Sequence, residues 1–172
     1  MLKMENRYIN EWVKYHLDLG FDLVYLYDNT DTDGERPEDA IDKELMEKVK
    51  IMDFRGKVQG ACKVQVEAYN HFYTHYGHNH KWVCFLDIDE FMTFTEKINV
   101  RQYLDKPCFK KANCIKINWL CYSDNGYIEY EDKPVLERFT QVSKNKDNVN
   151  GYYKAFYRCN ISGMSISNVH YC

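Results

Sequence analysis

Tyr8, Trp12, Tyr15 and Leu19 recur at helical spacing behind Asn6, and Gly20 follows them. This predicts a first helix with Asn6 as its N-cap and Gly20 as its stop. Leu23-Val24-Tyr25-Leu26-Tyr27 is a short unbroken apolar run, as a strand covered on both faces requires. A polar loop over 28–37 follows. Ile41, Leu45 and Val49 then predict a helix leading into a second strand near Val49–Phe54. Cys62, Val66, Tyr69, Tyr73 and Tyr76 form a helical stripe, and Trp82–Leu86 and Cys114–Trp119 read as third and fourth buried strands. Beyond Asp124 the strands predicted at Val135–Phe139, Tyr153–Tyr157 and Ser165–His170 are shorter and more mixed. Helices alternating with wholly apolar strands predict an α/β fold with a mainly parallel sheet. No repeat, low-complexity tract or Pro/Gly linker interrupts it, so one domain is expected.

Composition narrows the function classes. The chain has 172 residues, enough for one domain with a real core. Apolar residues make up 45% and charged residues 28%, which excludes disordered and fibrous classes. A net charge of −3 gives no pull toward nucleic acid or an anionic membrane. Seven cysteines, an odd number with no C-x-x-C pair, argue against a zinc knuckle and point to a reducing compartment. No secretory signal precedes Met4, and no apolar run approaches the roughly 18 residues of a membrane span. The expectation is a soluble, cytoplasmic protein, with peripheral contact at the inner face of a membrane left open.

Ligands of open α/β sheets bind at the carboxyl ends of the strands, and two strands here run into acidic loops. The first is Tyr27-Asp28-Asn29-Thr30-Asp31-Thr32-Asp33-Gly34. Asn29, Asp31, Asp33 and Gly34 match four positions of a calcium loop, but Ala40 stands where a bidentate glutamate is needed, so calcium is rejected. The second is Leu86-Asp87-Ile88-Asp89-Glu90-Phe91. Carboxylates at i and i+2 of an extended strand point the same way and can share one hard cation, leaving positions for phosphate oxygens. Four histidines crowd 71–80, but no glutamate follows His71, so a zinc-protease pattern fails and a solvated helix end is expected.

Several segments taken in order resemble family-2-like and family-92-like glycosyltransferases. They are Asn10-Glu11-Trp12-Val13-Lys14-Tyr15-His16, Tyr27-Asp28-Asn29, Phe85-Leu86-Asp87-Ile88-Asp89-Glu90-Phe91, Trp119–Gly126, Leu136-Glu137-Arg138-Phe139, Tyr153-Lys154-Ala155-Phe156 and Asn168-Val169-His170. The resemblance implies a GT-A fold with a D-x-D metal motif. It implies a metal-dependent transfer of sugar from a nucleotide-diphosphate donor, UDP-sugar favoured, to a saccharide or lipid-linked acceptor in bacterial surface polysaccharide synthesis. Asp28 and Asn29 would lie beside the base or ribose, and Lys3 and Glu5 in the turn that opens the donor pocket. Asp87, Asp89 and His170 would hold Mn²⁺ or Mg²⁺, and Lys154 would add a cation near the diphosphate. A transferase also needs a base for the acceptor hydroxyl, for which Asp124 is the best-placed carboxylate by its order along the chain and Glu137 the alternative, and Trp119 would face the acceptor. Such proteins usually open with a further apolar strand, whereas only Met1-Leu2 precede Lys3 and the chain stops just after His170. One glycosyltransferase-like domain over 1–172, trimmed at both ends and part of a longer enzyme, is therefore expected. A metal-dependent phosphohydrolase, a nucleotidyltransferase and a non-catalytic remnant are the alternatives. A phosphohydrolase would carry its acidic pair after the first strand, and a nucleotidyltransferase would need a Gly-rich basic loop.

Overall fold

The computed structural model describes residues 1–58, 60–124, 126–142 and 151–167. Helix α1 (Asn6–Asp18) buries Ile9, Trp12, Val13 and His16, one stripe at i, i+3, i+4 and i+7. It ends as the sequence predicts. Gly20 takes φ +106°, the Gly20 N–H donates to Leu17 O, and the Phe21 N–H donates to His16 O. That pair of bonds is a Schellman closure, which needs a left-handed residue and so favours glycine. The start differs from expectation. Glu5 is the boundary residue, and the Asn6 amide instead donates to Arg36 O at 2.7 Å, across the loop, rather than capping its own helix.

Strands β1 (Val24–Asp28) and β2 (Val49–Asp53) pair in parallel, Val24 opposite Val49 and Asp28 opposite Asp53. The predicted connecting helix is reduced to one turn, α2 (Lys43–Met46). On the other side of β1, Leu2 adds a parallel bridge, with its N–H donating to Tyr27 O and its carbonyl accepting from Asn29 N–H. Helix α3 (Ala61–His75) follows, then β3 (Trp82–Cys84), α4 (Val100–Leu104), β4 (Cys114–Asn118), α5 (Val135–Arg138) and β5 (Tyr153–Arg158). β5 lies between β3 and β4 and runs antiparallel to both.

The described ladders are thus one parallel and two antiparallel, where a mainly parallel sheet was expected. An unbroken apolar run reports that both faces of a strand are covered, and says nothing of its direction. β5 shows this directly, with Lys154, Ala155, Phe156 and Tyr157 all buried in the middle strand. α3 packs against both sheets, since Val64, Ala68, Tyr69 and Phe72 share one core with Tyr27 of β1 and with Val83 of β3. Under β5 a separate core gathers Met92, Val100, Ile115 and Phe156.

α5 corrects the strand expected at Val135–Phe139. Pro134 precedes it, and the Glu11 carboxylate of α1 accepts the N–H groups of Val135 at 2.8 Å and Leu136 at 3.3 Å. A cap supplied by another helix thus overrides the β-preference of a lone valine. Glu11→Ala should cost about 1 kcal/mol and speed amide exchange across 135–138 while leaving α1 protected. Exchange unchanged at these amides would show that α5 does not depend on Glu11. Of the strand expected at Ser165–His170, residues 165–167 are unpaired in the described ladders, and the remainder lies outside the described residues.

Candidate active site

α1 is the template on which the Asp87-x-Asp89 loop is laid. The Trp12 indole N–H donates to Glu90 O at 2.8 Å, and the Tyr15 hydroxyl donates to Met92 O at 2.8 Å. His16, 2% exposed, donates from Nδ1 to Trp12 O and accepts the Met92 N–H at Nε2. One protonation state satisfies both bonds, the neutral Nδ1–H tautomer. Burial pushes the His16 pKa down to about 4, with the Trp12 carbonyl bond opposing. The folded pKa lies below the unfolded value, so the unfolded chain binds the proton first as pH falls. The stability His16 contributes is full above pH 6.5 and drains between there and pH 4, by about 2 kcal/mol from pH 7 to pH 5. Urea titrations of wild type and His16→Gln at both pH values should differ by that slope. Equal slopes would contradict the neutral tautomer.

The loop itself is a tight turn. The Glu90 N–H donates to Asp87 O, and the Asp87 N–H donates back to Glu90 Oε2 at 2.8 Å. Register brings β5 to it. Cys84 lies opposite Phe156 in the last pair of the β3–β5 ladder, and Lys154 stands two residues before Phe156 on β5. The Lys154 ammonium, 5% exposed, bridges Asp87 Oδ2 at 2.8 Å and Glu90 Oε2 at 3.1 Å. From α3, Gln65 Nε2 donates to Asp87 Oδ1 at 2.8 Å. Both oxygens of Asp87 are thereby engaged. Burial works to lower the Lys154 pKa, but the charges of Asp87 and Glu90 outweigh it and carry it above the ordinary lysine value. Burial likewise raises the Glu90 pKa against the pull of Lys154. Asp89 is exposed, and Ile88 between the two aspartates is buried in the core.

Asp87, Ile88, Asp89, Glu90 and Lys154 line a cleft of about 830 Å³. Its lining also takes in Asn118 of β4, Trp119–Tyr122 after it, Val135, Leu136 and Arg138–Thr140 around α5, and Tyr8 of α1. The Trp119 ring lies 6.0 Å from the Lys154 ammonium. The Arg138 guanidinium, in a residue 5% exposed, sits 5.9 Å from the Tyr8 ring and 4.8 Å from that of Phe139. The cleft therefore joins carboxylates, a buried ammonium, a buried guanidinium and aromatic faces, groups suited to hydroxyl-rich and anionic ligands.

Asp87, Asp89, Lys154 and Trp119 meet in this cleft. Others do not. Asp28, 2% exposed, accepts Thr30 N–H on one oxygen and the Arg55 guanidinium on the other at 2.8 Å. The same guanidinium collects the carbonyls of Asp31, Gly34 and Glu35. Arg55 thus stands where loop oxygens converge, the place a calcium ion would take, and Asp28 is turned inward rather than toward a nucleoside. Asn29 donates to Phe54 O and Lys57 O and is also buried, so it too braces the loop. Lys3 pairs with Asp31 at the surface, and Glu5 is half-buried with its pKa raised by burial. Asp124 is exposed, and its Oδ1 accepts the Gly126 N–H at 3.0 Å, so it builds a turn outside the cleft wall. Glu137 is exposed and also outside that wall. Neither Asp124 nor Glu137 lines the cleft. His170 lies outside the described residues.

Among the described residues no three His, Cys, Asp or Glu side chains gather as a ready metal site. The histidines of 71–80 are only partly solvated, since His71 meets the Tyr27 hydroxyl and His80 that of Tyr25, each at 3.0 Å. Cys114 is disulfide-bonded, whereas Cys62, Cys84, Cys108 and Cys159 are free thiols. A disulfide belongs more naturally to an oxidising compartment, so the cysteine count does not fix the reducing one expected. No helix among the described residues is long and apolar enough to cross a membrane.

Over 123 residues the chain is 25% identical to a glycosyltransferase family 92 protein of Ricinus communis. The match covers 72% of this chain and 21% of that protein, so the chain spans about a fifth of the curated relative's length. No family model and no solved structure matches. The sequence relationship is thus distant and glycosyltransferase-like. The relative is a plant protein, and the bacterial setting expected from the sequence is left aside.

Proposed function

We propose that this chain is the donor-binding part of a GT-A-type glycosyltransferase that moves a sugar from a nucleoside-diphosphate donor to a saccharide acceptor. One observation carries the reading. Segments far apart in sequence, Asp87–Glu90, Trp119–Tyr122, Arg138–Phe139 and Lys154, form the walls of one cleft. The relationship to the plant family 92 protein supports it independently.

The chain's own groups divide the work. Lys154 and Arg138 offer positive charge to an anionic donor, and Trp119 and Tyr122 offer flat faces on which a sugar ring can stack. The donor chemistry of Asp87, Asp89 and Glu90, hard carboxylate oxygens, fits Mn²⁺ or Mg²⁺, with exposed Asp89 the ligand open to a cation first. Such a cation supplies neutralisation of the charge that gathers on the departing diphosphate. α1 holds the loop in place through Trp12, Tyr15 and His16. UDP is the favoured nucleotide.

A thermal-shift panel of UDP, GDP, CMP and their sugars, with and without Mn²⁺, tests the reading. A true donor at 100 times its Kd stabilises by about 2.7 kcal/mol. One nucleoside diphosphate should raise Tm in a Mn²⁺-dependent way. A panel without any shift would remove the transferase reading.

A further inference from the structure

Three large apolar side chains of the cleft face water. Leu120, Tyr122 and Leu136 line it and are 53%, 49% and 41% exposed. A single apolar side chain on a surface needs no explanation, but several together mark a place that meets an apolar group. These three are held in place by separate anchors. The segment after β4 is tied down by the Ser123 N–H, which donates to Gln141 O at 2.8 Å, and by an antiparallel bridge between Tyr122 and Val142. Leu136 sits on the turn of α5 that Glu11 caps. Residues directly opposite in an antiparallel pair set their side chains on one face. Val142, also exposed but outside the lining, thus carries the apolar strip past the cleft. The carboxylates in the lining all belong to the Asp87–Glu90 turn. The cleft therefore has a charged part, where hydroxyls and anions find partners, and a strip that suits methylene groups.

Resting on the transferase reading, we propose that the acceptor is an alkyl glycoside, a sugar joined to an aliphatic chain. Its sugar meets Trp119, and its chain lies along Leu120, Tyr122 and Leu136 toward Val142. An apolar strip that runs on beyond the cleft suits an extended chain rather than a single ring. The aliphatic chain contributes affinity by leaving water, and it fixes which end of the acceptor enters the cleft.

The test is an affinity series. Calorimetry on the whole chain measures methyl, butyl and octyl β-glucosides and β-galactosides below micelle-forming concentrations, and separately UDP with Mn²⁺. Each fully buried methylene is worth about fourfold in affinity, so butyl should bind up to about 60-fold tighter than methyl, and octyl tighter again. Leu120→Ser combined with Leu136→Ser should flatten the series to within about threefold, less than one methylene's worth, and leave UDP affinity as in wild type. Val58→Ser, at an exposed apolar side chain outside the lining, should leave the series steep, which separates the strip from unspecific adhesion. If the double variant does not fold, Leu120→Ser alone should lower the butyl-to-methyl ratio by about fourfold, one methylene's worth. A series that is flat in wild type, or as steep in folded Leu120→Ser/Leu136→Ser as in wild type, overturns the alkyl acceptor, and UDP binding with Mn²⁺ then leaves the transferase reading standing. A steep series in a protein that binds no nucleoside diphosphate overturns the transferase reading and the acceptor role with it.

Discussion

Replacing Arg55 with methionine should destabilise the chain by about 3–5 kcal/mol. Its partner Asp28 has a side chain only 3% exposed, and the two groups meet at 2.8 Å. Removing the guanidinium leaves a carboxylate in the interior with one N–H, that of Thr30, for company. It also frees the carbonyls of Asp31, Gly34 and Glu35. Desolvation of an unpaired charge dominates the cost, which gives a second expectation. Arg55→Met combined with Asp28→Leu should be more stable than Arg55→Met alone, because the uncompensated charge is gone. Urea midpoints of wild type and the two variants decide this. A loss under 1 kcal/mol for Arg55→Met would show that the loop is held by its turns and not by the guanidinium.

The largest functional effect is expected at Asp89. Its carboxylate is exposed in the cleft, so Asp89→Ala should leave the stability measured by urea unfolding within about 0.5 kcal/mol of wild type, as for other surface substitutions. Mn²⁺-dependent nucleotide binding should nevertheless fall by about 100-fold, at least the effect of losing a group that only orients a ligand. Isothermal titration with UDP in the presence of Mn²⁺ measures it. Undiminished affinity would move the cation site away from this loop.

The elements with strong apolar periodicity were legible in the sequence. α1, α3 and the apolar strands lie close to where their patterns put them, and Gly20 ends α1 by the conformation that only glycine adopts cheaply. Direction of pairing was not legible, because burial on both faces looks the same for either direction. Nor was α5, whose cap comes from Glu11, 124 residues earlier in the chain.

The site shows the same division. Asp87, Asp89, Trp119 and Lys154 stood out because each sits in a short motif near a strand end. Arg55 did not, since Asp53-Phe54-Arg55-Gly56 carries no periodic or motif signal. The available clue was the run of acids over 28–33 beside a buried strand, which needs a cation from somewhere. Gln65 carries no motif signal, and its meaning arises only from contact with Asp87 across the fold. The roles of Trp12, Tyr15 and His16 were similarly hidden, because their partners lie some 76–78 residues away. Asp124 was chosen for its order along the chain, yet a Ser-Asp-Asn-Gly stretch satisfies its own backbone, as the Gly126 bond shows.

The most direct measurement is release of nucleoside diphosphate from a set of UDP- and GDP-sugars with Mn²⁺, compared between wild type and Asp89→Ala. Nucleotide release by wild type that falls to background in a folded Asp89→Ala variant is the predicted result. Release at equal rates in the two proteins, or no turnover and no binding of any sugar nucleotide by wild type, would contradict a sugar-transfer site in this cleft.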